Sequence, residues 1–273
     1  MILFPNAKIN IGLHVTDKRT DGYHCIETIF YPVNLCDILE IVPAGKDLSS
    51  GLKVTGLTVE TGENNICLKA YNHLSSQKPL PALRLHLHKI IPPGSGLGGG
   101  SSDAAFTIMA LNRMFGLEMN KPDMEKLAAK TGSDTPFFIE NKPVYASGRG
   151  DIFSKIKISL SGTYIVIVHP GIKIDTGWAY SLIKPKHPGV SLKDLIGMPL
   201  ENWQDNIVND FEKPIFNNYP QVKKVKDVLL EKGALYASMS GSGSACYGFF
   251  EKSAAEYVRS SLPEYFIWEG FLK

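Results

Sequence analysis

Between residues 92 and 106 the chain reads PPGSGLGGGSSDAAF, with glycine at five of the seven positions 94–100: Gly94, Gly96, Gly98, Gly99 and Gly100. Glycine has no Cβ and adopts positive φ readily, so such a run can turn several backbone N–H groups toward one point and admit a ligand to the main chain. Downstream, Ala105, Ile108, Met109, Leu111 and Phe115 recur at helical spacing up to Gly116, with Ser101 or Ser102 as the expected cap. A glycine loop feeding a helix offers unpaired N–H groups and the positive end of the helix dipole, a geometry suited to phosphate. Gly94, Gly96 and Gly99 satisfy G-x-G-x-x-G, but that pattern should open the first βαβ unit of a dinucleotide fold, and here it comes late. The Gly-Lys-Ser/Thr of a Walker A loop is absent. A flexible linker is not expected between a strand pattern and a capped helix.

At 273 residues the chain exceeds the usual single-domain size, and two domains are expected, 1–155 and 156–273. Twenty-nine Lys+Arg against 27 Asp+Glu give a net charge of +2 without a long basic run, which argues against a nucleic-acid partner. Cys25, Cys36, Cys67 and Cys246 form no C-x-x-C pair and read as reduced thiols. The apolar start, Met1 to Phe4, is cut by Pro5 and has no basic flank or cleavage site, and no apolar run approaches membrane-spanning length. A soluble, cytoplasmic protein without a membrane partner is expected.

Residues 7–15 alternate Ile9, Ile11, Leu13 and Val15 with Lys8, Asn10, Gly12 and His14, the period of a half-buried strand. Lys8 and Asn10 therefore share a face, which meets either solvent or a ligand. Thr20, Asp21 and Gly22 mark a turn, and Tyr23 and His24 begin the next strand. Further strands are predicted over 35–43 and 52–60, a helix capped by an asparagine just before Ile66, and a strand over 83–91 that delivers the chain into the glycine loop. His86 and His88 read as a solvated strand face. Asn120 is the expected cap of a helix running to Gly132, and GSDTPFFIE sets Asp134 in a turn ahead of apolar Phe137 and Phe138. In the second half, 164–169 read as a buried strand, 174–183 as opening a helix, 185–199 as loop, and 206–216, 220–232 and 251–262 as helices. Strands are predicted over 245–250 and 266–272. This order implies an α+β layering rather than a doubly wound sheet.

Taken together, AKINIGL, DGYH, PPGSGLGGGSSDAA, GSDTPFF and SGSGSA, in this order and nearly end to end, resemble the GHMP group of small-molecule kinases. The match is strongest to the branch that phosphorylates a cytidine-diphosphate-linked methylerythritol. The resemblance implies a two-lobed α+β fold with an S5-like N-terminal lobe that binds ATP and a ferredoxin-like C-terminal lobe on the substrate side. It also implies transfer of a phosphoryl group from ATP, with Mg²⁺, to the 2-hydroxyl of that substrate, a step of isoprenoid precursor synthesis. A monomer or weak homodimer is expected.

Carried onto this sequence, the resemblance makes Asp134 the acceptor of the hydroxyl proton and Lys8 the cation that stabilises developing charge. Asn10 would touch the substrate, His24 would hydrogen-bond the cytosine, and Tyr23 would stack on it. Thr176 and Tyr180 would lie near the same ligand. Pro92, Gly94, Ser95, Gly96, Leu97, Gly98, Gly99, Gly100, Ser101 and Ser102 would cradle the ATP phosphates, with Asn65 and Lys89 near adenine or its ribose. Ser101 and Ser102 are the candidate Mg²⁺ ligands, since no carboxylate cluster dictates a metal site. The alternatives are a GHMP kinase for mevalonate, homoserine or a sugar, and a nucleotide-binding protein without turnover. Flat partners for a pyrimidine argue against the first, and the presence of both Lys8 and Asp134 argues against the second.

Overall fold

A computed structural model describes residues 1–45 and 49–273. The chain opens with β1 (Ile2–Leu3), β2 (Asn6–Lys18), β3 (His24–Cys36), β4 (Ile38–Pro43) and β5 (Gly51–Gly56). There follow α1 (Ile66–Ser75), β6 (Leu83–Lys89), α2 (Gly99–Met114), α3 (Lys121–Ala128), α4 (Phe137–Glu140), β7 (Val144–Ser147) and β8 (Ile152–Lys155). The remainder contains β9 (Tyr164–His169), α5 (Thr176–Ser181), α6 (Leu192–Leu195), α7 (Trp203–Asn206), α8 (Glu212–Asn218), α9 (Pro220–Glu231), β10 (Tyr236–Met239), β11 (Cys246–Phe250), α10 (Ala255–Ser261) and β12 (Phe266–Phe271).

Contacts divide the chain into two compact units, and the division does not fall at residue 155. One unit holds Met1–Ala7, Leu35–Pro93 and Gly98–Lys142; the other holds Lys8–Asn34, Gly94–Leu97 and Pro143–Lys273. The reason is strand pairing: β3 is antiparallel to β7, and β7 to β8, in a sheet of order β2-β3-β7-β8, so most of the first hairpin folds with the C-terminal half.

The first unit is built on a sheet of order β1-β4-β6-β5, in which β5 and β6 run parallel and are joined through α1. Leu39, Ile41, Leu83, Leu85 and Leu87 alternate onto one face of that sheet, where Ala104, Ile108 and Leu111 of α2 and Ala70 and Leu74 of α1 join the same core. Asn65 and Asn120 cap α1 and α3, accepting N–H bonds from Cys67 and Asp123, both 2.9 Å. The strand expected over 35–43 is broken at Asp37. His86 and His88 are half-buried rather than solvated, and each meets Thr55 Oγ1, at 2.9 and 3.0 Å.

The second unit contains an antiparallel sheet of order β10-β11-β9-β12 with helices between β9 and β10 and between β11 and β12. That is the ferredoxin-like arrangement, β12 taking the edge as expected. Val166 and Val168 of β9 pack with Val222, Val225 and Leu229 of α9 in its core. The helix expected over 206–216 is interrupted, because 208–210 lie alongside β2. Leu13 N–H donates to Val208 O and Asp210 N–H to Leu13 O, each at 2.9 Å, and Asp210 Oδ2 accepts Val15 N–H at 2.8 Å. The helix predicted from 251 begins only at Ala255. Cys67 and Cys246 are buried, and Cys25 and Cys36 are half-buried.

Candidate active site

In the second unit, residues 8–16 of β2 are buried on both faces, so the face shared by Lys8 and Asn10 does not meet bulk solvent: they are 3% and 2% exposed. An ammonium so placed is costly unless it is hydrogen-bonded. Lys8 Nζ donates to Asn10 Oδ1 and, at 3.0 Å, to the carbonyl of Gly96, and it lies 4.9 Å from the centroid of the Phe30 ring. Asn10 is held in turn: its Nδ2 donates to Thr28 Oγ1 at 3.0 Å, and its carbonyl accepts the Tyr247 hydroxyl at 2.8 Å.

The SGSGSA loop closes round the same group. Ser240 Oγ donates to Gly96 O at 2.9 Å and accepts Asn10 N–H at 3.2 Å, while Ala245 N–H donates to Ser95 O at 3.0 Å. Gly96 has φ +84°, and a Cβ there would stand 2.0 Å from Ser240 O. Leu97 is fully buried, and its carbonyl accepts Lys8 N–H at 2.9 Å. Asn209 fixes the loop by donating through Nδ2 to Met239 O and Gly241 O, both 2.8 Å. Thr28 and Asn209 lie in none of the motifs recognised in the sequence.

His24 and Tyr180 come together as a stacked pair, ring centroids 5.0 Å apart and planes 16° from parallel. Tyr180 also meets Phe211 edge-on at 4.9 Å, which fixes its plane. Burial, aided by nearby Lys18, holds the His24 imidazole below its ordinary pKa, so the ring is neutral at pH 7 and offers one donor and one acceptor. Tyr23 is 56% exposed with the Arg149 guanidinium 5.0 Å over its ring. Thr176, the first residue of α5, has its Oγ1 3.4 Å from Ser242 Oγ.

In the first unit, α2 starts earlier than its serines suggest. Gly98, in the left-handed region at φ 71°, precedes the first helical residue, Gly99. Ser101 and Ser102 therefore lie inside the first turns, and Ser102 Oγ is buried without a hydrogen-bond partner. The Asp134 turn lies beside them: a Cβ on Gly132 would stand 3.6 Å from Ser101 Oγ. Asp134 itself is half-buried; its carbonyl accepts Phe137 N–H, and Phe137 and Phe138 behind it are 2% and 0% exposed.

Asn65 and Lys89, the two residues expected near adenine or its ribose, both bond within the first unit. Asn65 uses both ends of its amide locally, capping α1 and donating to Glu60 O at 2.6 Å. The Lys89 side chain is turned inward, 3% exposed, bonded to Asp37 and, at 2.8 Å, to Asp103. Of the loop, Pro92 and Ser95 are buried, Gly94 is exposed, and Gly100 is half-buried.

The second unit thus holds a buried lysine anchored on a glycine loop and a flat aromatic pair, and the first holds a half-buried carboxylate beside a helix N-terminus. Two family descriptions match the chain, GHMP kinases N terminal domain over residues 65–142 and GHMP kinases C terminal over 191–267. The chain belongs to the GHMP kinase family, whose members use ATP as phosphoryl donor. Within it the likeness narrows. The chain is 45% identical over 273 residues, the whole of both proteins, to the 4-diphosphocytidyl-2-C-methyl-D-erythritol kinase of Parabacteroides distasonis. A crystal structure of 4-(cytidine 5'-diphospho)-2C-methyl-D-erythritol kinase matches 100% of this chain and 99% of its own, with a TM-score of 0.84 and 31% identity. The Methanococcus jannaschii mevalonate kinase shares the fold, with a TM-score of 0.73 at 16% identity over 100% and 98% of the two chains. Among the described residues no helix is long and apolar enough to cross a membrane.

Proposed function

We propose that the chain transfers the γ-phosphoryl group of ATP to the 2-hydroxyl of 4-diphosphocytidyl-2-C-methyl-D-erythritol, a step of isoprenoid precursor synthesis by the non-mevalonate route. The observation that carries this reading is the anchoring of Lys8, whose buried ammonium is tied to the glycine loop through Gly96 O and oriented by Asn10. Full-length relatives named for this kinase support the choice of acceptor. Phosphoryl transfer asks little covalent chemistry of a protein, so positioning and charge stabilisation supply most of the rate. Lys8 stabilises charge on the transferring group, and Asp134 accepts the hydroxyl proton. The N–H groups opening α2 hold the phosphates. Neutral His24 reads the hydrogen-bonding edge of the cytosine, Tyr180 and Tyr23 supply stacking faces, and Asn10 and Thr176 meet the sugar-alcohol end.

Magnesium fits as an ion held chiefly by phosphate. Among the described residues no group of three His, Cys, Asp or Glu side chains could hold a metal, while the Ser102 hydroxyl is buried and unpartnered beside Ser101. Mg²⁺ commonly takes only one or two protein oxygens and keeps its waters and substrate phosphates. Ser101 and Ser102 would be those ligands, and the ion, when bound, neutralises phosphate charge.

Phosphorus NMR of the protein with ATP, Mg²⁺ and 4-diphosphocytidyl-2-C-methyl-D-erythritol should show a new phosphomonoester signal growing with ADP. Phosphorylation of mevalonate, homoserine or galactose instead would overturn the acceptor. His24→Ala should raise KM for the cytidine substrate about ten-fold or more, since a site built to hydrogen-bond loses discrimination with that bond, and leave KM for ATP unchanged. An unchanged KM for the acceptor would remove His24 from base recognition.

A further inference from the structure

The charged groups beneath the glycine loop have no place in the roles above. Asp37, Lys89 and Asp103 are 0%, 3% and 1% exposed, and they come from two segments of the first unit. Lys89 closes β6, Asp37 lies between β3 and β4, and Asp103 is the fifth residue of α2. Lys89 Nζ binds one oxygen of each carboxylate. Asp37 uses its other oxygen to accept the N–H groups of Ile90 and Ile91, at 2.6 and 2.9 Å, where the chain leaves β6 for the loop. On the far side of the loop, a Cβ on Gly99 would stand 2.9 Å from Lys89 Nζ and 2.8 Å from Ile91 Cγ2. The residues that lead into the loop and the first turn of the helix that leaves it are thus fastened at one point.

We propose that Asp37, Lys89 and Asp103 form an ionic clasp at the neck of the glycine loop, in which Asp37 and Asp103 act through Lys89 as positioning residues for the phosphates of ATP. Burial works against the Lys89 charge, yet Asp103 and Asp37 outweigh it and raise its pKa, so the clasp keeps its cation. Burial also raises Asp103, against the pull of Lys89, with Asp37 adding to the rise. Cys67, the remaining titratable group facing the cluster, is driven upward by the same burial and stays a neutral thiol. A buried ion set is often no more stable than neutral groups of the same size, so stability alone does not account for these ionisable groups here. Geometry does: the N–H groups of α2 can serve a phosphate only at one height above the end of β6, and a misplacement of about 1 Å can cost about 10²-fold.

The clasp rests on the reading of this loop as the ATP site, and its test separates the two. Binding of ATP with Mg²⁺ is measured by calorimetry without acceptor, beside thermal melting and KM for the cytidine substrate. The neutral, similarly sized triple variant Asp37→Asn, Lys89→Met, Asp103→Asn should melt near the parent and bind ATP about ten-fold more weakly or worse, with KM for the acceptor little changed. Asp37→Glu keeps every charge but lengthens the link, and should show the same split even if the triple variant does not fold. Parent-like ATP binding by a folded triple variant or by Asp37→Glu, or equal loss of ATP and acceptor binding, overturns the clasp alone. Failure of the parent protein to bind ATP overturns the kinase reading and the clasp with it.

Discussion

Asp134→Asn is expected to lower kcat by about 10²–10⁴-fold, the usual worth of a positioned proton acceptor, while leaving KM for ATP and the melting temperature nearly unchanged. Asparagine matches aspartate in size and serves turns as well. The turn is also held by groups other than the carboxylate: Phe137 N–H donates to the Asp134 carbonyl, Thr135 N–H to Gly132 O, and Phe137 and Phe138 are seated in the interior. The substitution is therefore expected to remove the proposed proton acceptor while the turn stays in place. Steady-state kinetics with both substrates varied, beside a melting curve, separates the outcomes. Near-normal turnover in a folded variant would take Asp134 out of the proton transfer.

Gly96→Ala should be the most damaging single methyl group in the second unit. At φ +84° a non-glycine residue is strained, and its Cβ would stand 2.0 Å from Ser240 O and 2.9 Å from Ser240 C, backbone atoms that cannot swing aside. A cost of about 3 kcal/mol or more follows from strain and overlap together. For a chain of this size that corresponds to a fall in Tm of roughly 6–12 °C. Because Lys8 Nζ and Ser240 Oγ both donate to Gly96 O, whatever folded protein remains should also have lost turnover. Gly22→Ala is the control: its φ is +85°, but a Cβ there meets nothing within 4 Å. If the two variants melt alike, steric overlap with the Ser240 backbone is not what Gly96 avoids.

Local chemistry was legible in the sequence and distant pairing was not. The Asn65 and Asn120 caps, the α9 helix and the buried β9 follow from spacing and side-chain type, each within about four turns or one strand. The loop between Pro92 and Ser102 was recognised from its glycines, yet its helix was expected to begin at a serine, because a left-handed Gly98 cap leaves no side-chain signature. The break within 206–216 could not be read, since it depends on a strand nearly two hundred residues earlier taking up the backbone of 208–210. Asp37 illustrates the same limit. In sequence it is one polar residue inside a strand pattern, and only the pairing of β4 with β6 brings it to Lys89. Thr28, Asn209 and Asp37 pass unnoticed in the sequence, because a support is defined by its partner rather than by its neighbours.

The burial of β2 also bears on the order in which the molecule can be made. This strand is made long before its partners: its Leu13 waits for residues 208–210 and its Asn10 carbonyl for the hydroxyl of Tyr247, 237 residues later. Closing loops of that length costs conformational entropy before any contact rewards it. The Asn10 that orients Lys8 is thus held in full only once Tyr247 has been made. Until then β2, with Ile9 to Val15, has β3 beside it but lacks the backbone of 208–210, and incompletely covered apolar strands are prone to aggregate.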